Sequence, residues 1–318
     1  MVAAALGAAA WAWLHAPLPM GSEPLELAIE PGTPPRSIAR DIERAGVRVD
    51  ARLLFAWFRL SGKVREIRAG NYEIPPGTTP LTLLDKLVRG EESLRSLTLV
   101  EGWTFRQVRA ALAREELRRD SAGLDDAAIM QQLGRPGVPP EGRFFPDTYA
   151  YAKGSSDLAV LRRALHAMDR HLEAAWAQRS ADTPLKSADE ALILASIVEK
   201  ETGQAADRGQ IAGVFVNRLR AGMLLQTDPT VIYGLGEKFD GNLRKRDLQA
   251  DTPWNTYTRA GLPPTPIAMP GKAALMAAVQ PQATRALYFV ARGDGSSHFS
   301  ATLDEHNRAV QRYQLQKK

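Results

Sequence analysis

The chain has 318 residues, with 41 Lys and Arg against 36 Asp and Glu, a formal net charge of +5, and no cysteine. A chain of this length can bury a full core, and its 44% hydrophobic and 24% charged residues exclude a wholly disordered protein. The lack of cysteine excludes disulfide frameworks, thiolate metal sites and thiol nucleophiles. The small basic surplus is spread along the chain, so nucleic acid is not an expected partner.

The N-terminus is almost free of polar side chains, reading MVAAALGAAAWAWL from Met1 to Leu14. A helix over the first 16 residues would be about 24 Å long, shorter than the ~30 Å hydrocarbon core of a bilayer. We interpret residues 1–19 as a short N-terminal membrane helix; a cleaved signal peptide and a buried alanine-rich helix are the alternatives. No basic leader precedes this stretch, which indicates a true start codon further upstream.

Residues 20–98 predict a small α+β module. Helical spacing of apolar residues alternates here with short strand-like runs, and glycines close the helical segments. The expected order is strand, helix, helix, strand, helix, strand, at Leu25–Ile29, 37–46, 51–62, 67–77, 79–90 and 96–100.

Residues 99–318 predict a larger, mixed and helix-rich domain. Four helices are expected, at 104–120, 158–179, 191–198 and 214–222. The third is apolar on nearly every face, which is typical of a helix in the middle of a core. Residues 226–271 are dense in Gly, Pro, Asn and Asp and are expected to be irregular, whereas 287–301 predict a β-hairpin.

Common catalytic motifs are missing from the sequence. It has no phosphate-binding loop, no dinucleotide-binding glycine pattern and no HExxH zinc motif. The five histidines are scattered without metal-ligand spacing. We therefore expect neither a metal nor a cofactor.

Two carboxylates directly follow the apolar helix, in the segment SIVEKET. Burial next to a core helix should raise the pKa of such a carboxyl, as a general acid at neutral pH requires. Glu199 and Glu201 lie about 200° apart around the helix, so one can face a cleft while the other does not. Small residues precede Glu199 by one turn and leave room for a ligand, which favours Glu199. The alternative for each is a helix-end carboxylate in an ion pair.

Two later loops, 225–234 and 255–266, combine amides, hydroxyls and aromatic rings. This mixture is suited to sugar hydroxyls and pyranose faces. The same residues also permit a structural interpretation, in which Asp228 caps a helix and 261–266 is a rigid turn. The two interpretations are compatible.

These stretches resemble one family, the YceG-like endolytic murein (peptidoglycan) transglycosylases. The resemblance covers residues 25–315 and is carried by EGRFFPDTY (141–149), ASIVEKET (195–202), VFVNRL (214–219), LQTDPTVIYG (225–234) and NTYTRAGLPPTPIAMPG (255–271). It implies a single membrane helix, a LysM-like module at 20–98 and a periplasmic catalytic domain at 99–318. The implied reaction cleaves the MurNAc–GlcNAc β-1,4 bond in nascent glycan strands and leaves a 1,6-anhydro-MurNAc end.

The resemblance also assigns site residues. Glu199 matches the catalytic glutamate, and Trp254 stands where relatives often have Tyr or Phe. Six further residues fall on positions expected to bind substrate: Glu201, Asn217, Gln226, Asp228, Asn255 and Tyr257. Implied partners are peptidoglycan strands, the inner membrane and cell-wall synthases.

Two rival functions remain at this point. A muramidase-type hydrolase would use water as the nucleophile, with Asp228 or Asp251 as the second carboxylate. A membrane-tethered peptidoglycan-binding module would perform no catalysis. Catalysis by Glu199 predicts an open groove around it, lined by Gln226, Asn255 and Tyr257.

Overall fold

A computed structural model describes residues 1–201 and 204–315 of the chain. It is a mixed α+β protein, rich in helices, with small antiparallel sheets. The chain divides into two compact units. The first comprises Met1–Ser96 and Ala150–Ser155, and the second comprises Leu97–Tyr149 and Ser156–Lys318.

The N-terminal apolar stretch is a helix, α1 (Val2–His15), of 14 residues. Within residues 1–201 and 204–315, no helix combines the length and the apolar character needed to cross a membrane. The prediction of a helix is confirmed, whereas the prediction that it spans the bilayer is not supported. At 1.5 Å per residue α1 is only about 21 Å long. Its end is tied to the first unit, because Trp13 packs on that unit's core and the Leu18 N–H donates to Thr78 O.

The first unit has the predicted element order. It contains β1 (Leu25–Ile29), α2 (Pro35–Arg44), α3 (Ala51–Leu60), β2 (Gly70–Ile74), α4 (Pro80–Arg89) and the start of β3 (Leu94–Thr98). β1 and β2 pair antiparallel, with Leu27 opposite Tyr72, and both side chains are buried. A capping box between Thr79 and Thr82 begins α4, and Gly90 ends it in the left-handed conformation.

The second unit is built mainly of helices. Before its central helix come α5 (Phe105–Leu112), α6 (Asp126–Gln132) and α7 (Asp157–Ala177). Between α6 and α7 the chain forms β4 (Thr148–Ala152), which pairs with β3 and whose residues from Ala150 onward belong to the first unit. The rest follows in the order α8 (Ala188–Glu201), α9 (Ala205–Arg220), α10 (Asp228–Leu235), α11 (Lys245–Gln249), α12 (Lys272–Val279), β5 (Tyr288–Ala291), β6 (Ser297–Ser300) and α13 (Leu303–Val310). The predicted hairpin is confirmed as β5 and β6.

Helix α8 lies in the middle of this unit. It packs against α7, α9, α10 and α12, and its residues from Leu194 to Val198 are all buried. α8 and α12 both bury alanines in the same core cluster, among them Ala191 and Ala195 of α8, and such small side chains allow helices to pack closely. The all-round apolar pattern of 191–198 therefore predicted a core helix correctly, and this packing fixes the position of the carboxylates that follow it.

Two sequence predictions were wrong in detail. The helix expected at 104–120 ends at Leu112, and the chain then turns so that Leu117 is buried and Arg118 forms a β-bridge with Ser156. The segment 226–271, expected to be irregular, contains α10 and α11. The structural interpretation of 225–234 included a helix capped by Asp228; α10 does begin there, although Thr227 rather than Asp228 is its N-cap and Pro229 lies in its first turn.

Helix α9 offers a stability test, because its two interior glycines differ in their surroundings. A Cβ on Gly213 would lie 2.6 Å from the main-chain oxygen of Gln282, whereas one on Gly209 would meet the Gln282 side chain at an ordinary 3.4 Å. We expect Gly213→Ala to lower the free energy of unfolding by about 1–3 kcal/mol, since overpacking outweighs better helix propensity. Gly209→Ala is the matched control and should be neutral or stabilising by up to ~1 kcal/mol. Urea unfolding of both variants measures this, and equal stabilities would contradict the close approach at Gly213.

Candidate active site

Glu199 is held at the end of α8 by a main-chain contact. Its Oε2 accepts a hydrogen bond of 2.9 Å from the N–H of Gly271, the residue that precedes α12. One turn earlier, the Ser196 hydroxyl accepts a 3.0 Å bond from the Ile267 N–H and donates to Ile193 O. The segment 267–271 is thus fixed along the last turns of α8, and it fixes the Glu199 carboxyl in turn.

A second carboxylate, Glu101, lies on the other side of Gly271. In this structure a Cβ on Gly271 would lie only 1.7 Å from Glu101 Oε1, so a larger residue there would displace the exposed Glu101 side chain. Backbone hydrogen bonds from Gly102 N to Met269 O and from Met269 N to Trp103 O hold the two segments together. Sequence reasoning missed Glu101, because it lies almost a hundred residues before Glu199 and carries no spacing signal.

The surroundings of Glu199 favour its protonated form. Burial raises the pKa of the Glu199 carboxyl, and the negative charge of Glu101 adds to the rise. The Gly271 hydrogen bond and the positive charges of Arg208 and Lys200 act in the opposite direction on this pKa but do not cancel the rise. Overall the pKa of Glu199 is raised, as a general acid at neutral pH requires.

Glu201 faces a different set of neighbours. It accepts a hydrogen bond from the Thr227 hydroxyl at the start of α10. Burial raises the pKa of Glu201 to about 7, with a further contribution from the charge of Asp228. Asp228 itself accepts a 2.5 Å bond from the Tyr257 hydroxyl. Glu201, Asp228 and Tyr257, which the sequence singled out together, therefore do lie together, on a face of α8 separate from the Gly271 contact.

Gln226 adopts a left-handed backbone conformation, with φ of 51°, which is unusual for a residue other than glycine. Its Oε1 accepts a 3.3 Å bond from Arg218, a buried arginine that also donates to the main-chain oxygens of Leu224, Leu225 and Leu287. Its N–H donates to Thr256 O. These contacts define the path of the chain just before α10.

The two predicted asparagines hold main-chain segments in place. Asn217 Nδ2 donates to the carbonyl oxygens of Thr284 and Ala286, at 2.9 and 3.0 Å. Asn255 is fully buried; its Nδ2 donates to Leu248 O and Ala250 O, and its Oδ1 accepts from Tyr257 N. Both amide nitrogens donate to main-chain oxygens, so a substrate-binding role for the two asparagines stays a prediction.

A cleft of about 900 Å³ lies in the second unit. Gln226, Asn255 and Tyr257 do not line it, in contrast to the groove expected from the sequence. Its walls are aromatic and proline-rich, with a few charged groups, and comprise Thr104, Phe105, Arg106, Asp126, Pro139, Pro140, Glu141, Lys200, Pro229, Ile232, Tyr233, Gly236, Phe239, Trp254, Thr265 and Ile267. Lys200, the residue after Glu199, lines this cleft, whereas Glu199 itself is not one of the lining residues.

Glu141 is the buried carboxyl of this cleft, with 7% of its surface exposed. It accepts bonds of 3.0 and 3.2 Å from the Phe105 N–H, and further bonds from the Tyr233 hydroxyl and Gly142 N. Burial nevertheless raises the pKa of Glu141 to about 7. Sequence reasoning did not select Glu141, although it begins the EGRFFPDTY motif; its burial depends on segments far away in the sequence.

The other carboxylates considered for catalysis have their own partners. Asp251, a candidate second carboxylate for a hydrolase, is exposed and paired with Arg259 at 2.7 Å. Asp228 is bonded to Tyr257, as described above. Across the described residues, no group of three or more His, Asp or Glu side chains is placed to hold a metal ion.

Comparison with known proteins gives consistent results. The family model described as the YceG-like family matches residues 27–312. A Bacillus subtilis (strain 168) protein named endolytic murein transglycosylase is 34% identical over 265 residues, covering 77% of this chain and 73% of the relative. A protein of the same name from Streptococcus pneumoniae (strain R6) is 27% identical over 89% of this chain, which spans only 57% of that relative.

A solved structure agrees with the sequence comparisons. The crystal structure of a yceG-like protein from Listeria monocytogenes superposes with a TM-score of 0.56 at 28% identity, covering 91% of this chain and 99% of that one. The family match extends over most of the chain, including Glu101, Glu141, Glu199 and Glu201. The chain therefore belongs to the YceG-like family.

Proposed function

We propose that this protein is an endolytic peptidoglycan lytic transglycosylase. It cleaves the β-1,4 bond between MurNAc and GlcNAc within nascent glycan strands, leaves 1,6-anhydro-MurNAc ends and so limits strand length. The observation that carries the proposal is Glu199, a carboxyl with a raised pKa that the Gly271 N–H holds in place. The next residue, Lys200, lines a cleft of about 900 Å³. Two relatives of this chain are named endolytic murein transglycosylases.

The proposed reaction uses one carboxyl twice. Because Gly271 N–H donates to Oε2, the proton of the neutral Glu199 resides on Oε1. Oε1 gives this proton to the bridging glycosidic oxygen as the bond from C1 to that oxygen breaks. The resulting carboxylate then takes the proton of the MurNAc C6 hydroxyl while the C6 oxygen bonds to C1. Glu199 ends in its starting protonation state, and no water is consumed.

An internal nucleophile makes a second catalytic carboxylate unnecessary. In a hydrolase, a second carboxylate would activate water at a defined distance from the acid. The two candidates for that role have other partners in this structure, Asp228 with Tyr257 and Asp251 with Arg259. The single fixed acid thus supports the transglycosylase reaction over hydrolysis.

The first unit is the proposed peptidoglycan-binding module. Its β1–α2–α3–β2 order, with an antiparallel β1–β2 pair, fits a LysM-like element. We further propose that α1 helps tether the protein to the inner membrane, with the catalytic unit in the periplasm near cell-wall synthases. The apolar, exposed surface of α1 supports an association with lipid.

Replacement of the acid tests the reaction directly. We expect Glu199→Gln to reduce release of anhydro-MurNAc products from purified glycan strands by at least ~10²-fold, since the amide cannot donate and recover the proton. Mass spectrometry of the products gives the measurement. It also separates the rival hydrolase, whose products would be heavier by one water.

Two comparison variants sharpen this test. Glu173→Gln changes an exposed carboxylate of α7 and should leave product release unchanged. Glu201→Gln removes the other carboxyl at the end of α8. Full activity in Glu199→Gln together with loss in Glu201→Gln would transfer the acid role to Glu201, and products with reducing ends from the wild type would establish hydrolysis instead.

The pH dependence provides an independent test. Glu199 must carry its proton to act as an acid, so kcat/KM should fall as pH rises through its pKa, which lies above the ordinary 4.5 of a glutamate. Removing the negative charge of Glu101 makes the Glu199 carboxylate easier to form. Glu101→Gln should therefore shift the alkaline limb of the profile to lower pH. A limb that stays in place or moves to higher pH would contradict the electrostatic coupling between the two carboxyls.

A further inference from the structure

The acid chemistry of Glu199 leaves one buried group unexplained. Glu141 is almost completely buried, has no cation among its hydrogen-bond partners and forms part of the 900 Å³ cleft. Burying a carboxyl costs folding free energy, so a carboxyl that is kept buried is expected to have a structural or functional role through its hydrogen bonds. Because Glu141 lies in the cleft, we infer that its hydrogen bonds hold the residues of the cleft wall in position.

The hydrogen bonds of Glu141 join two sides of the cleft. On one side, both of its oxygens accept from the N–H of Phe105, the first residue of α5. On the other side it accepts from the hydroxyl of Tyr233, which belongs to α10. One side chain therefore links the start of α5 to α10, and both helices contribute residues to the cleft.

The chain of contacts continues to the aromatic wall. The Tyr233 hydroxyl is also hydrogen-bonded to Thr265, whose Oγ1 accepts a 2.9 Å bond from Trp254 Nε1. The rings of Tyr233 and Trp254 meet edge to face, with centroids 5.5 Å apart. Trp254 and Phe239 are only partly buried and line the cleft. Glu141 thus holds in place, through Tyr233, the rings that a ligand would contact.

Two short segments connect this cleft to the acid. One runs from Glu101, beside Gly271, to Phe105 in the cleft wall. The other runs from Thr265 in the cleft wall to Gly271, which donates to Glu199. Lys200, which directly follows Glu199, also lines the cleft, so the acid and the cleft are joined through three short stretches of chain.

We propose that this cleft is a saccharide subsite that binds a pyranose ring next to the scissile bond, with Glu141 as its positioning residue. The inference rests on the proposed function, since it takes the polymer to be a glycan strand. Partly buried flat rings present the surface that the apolar face of a pyranose packs on. Carboxyls at 126 and 141 stand against the basic groups of Arg106 and Lys200, so the cleft offers a mixed surface that suits an uncharged sugar better than an anionic peptide stem.

Binding can be measured separately from catalysis. In the Glu199→Gln background, we expect Glu141→Ala to weaken binding of peptide-free glycan strands by at least tenfold, because the aromatic wall loses its fixed position. Glu141→Gln should recover most of that affinity, since the amide oxygen can still accept from Phe105 N and Tyr233. Glu173→Ala, which changes an exposed glutamate that does not line the cleft, is the control and should bind as the parent does.

A double-mutant comparison separates positioning from a general loss of structure. If Glu141 acts through Tyr233, then Tyr233→Phe combined with Glu141→Ala should weaken binding little more than Glu141→Ala alone. In the active enzyme, Glu141→Ala should raise KM more than it lowers kcat, and Glu141→Gln should stay close to the wild type in both. Thermal unfolding of each variant accompanies these measurements, and affinities are compared at a temperature where all variants are folded.

Several results would overturn the inference. Unchanged glycan binding by Glu141→Ala, additive effects of the two substitutions, or a loss in kcat alone for Glu141→Ala would each do so. Binding of strands only when they carry peptide stems would replace the saccharide with a peptide ligand. These outcomes differ from failure of the proposed reaction, which would appear as a wild type that releases no anhydro products while the Glu199→Gln variant still binds strands.

Discussion

The hydrogen bond from the Gly271 main chain to Glu199 is the contact on which the rest of the site depends. It joins the end of α8 to the beginning of α12, two helices whose alanine-rich faces pack closely in the core. A main-chain donor on a packed helix cannot rotate away as a side chain can, so the carboxyl is oriented before substrate arrives. The close approach of Glu101 to the same glycine then adds the like charge that favours the protonated acid.

Glu141, Glu199 and Glu201 of the second unit each have a carboxyl whose pKa is raised by burial, but their hydrogen-bond partners differ. Burial raises the pKa of Glu141 and of Glu201 to about 7, and that of Glu199 in the same direction. For Glu141 and Glu201, ionisation in the folded protein costs on the order of 3 kcal/mol relative to the unfolded chain. Because the folded state holds these protons more tightly, their contribution to stability declines as pH rises from 4.5 toward 7. These buried carboxyls therefore lower the free energy of unfolding at neutral pH, and they lie in the unit where the reaction is proposed to occur.

Much of the fold could be predicted from local patterns. The elements of the first unit follow from helical spacing, capping residues and glycine stops, and β1 has the predicted bounds. The core character of α8 follows from its all-round apolar pattern. The errors came from tertiary effects, as when the helix after Phe105 stops at Leu112 so that Leu117 can be buried. The short helix α11 was not predicted, because the composition of the segment 226–271 is typical of loops.

For the site, the sequence by itself determined that a carboxylate follows a core helix, and Glu199 was selected from its small neighbours and its motif. It also grouped Glu201, Asp228 and Tyr257, which lie together in the structure. Only the tertiary structure decided that Glu101 stands beside Gly271, that Glu141 joins α5 to α10 and that the amide of Asn255 is bonded to the main chain. The physical reason is that burial and hydrogen-bond partners depend on segments tens to hundreds of residues apart, which no local periodicity records. Sequence spacing can place a carboxyl on a helix, but only packing determines what faces it.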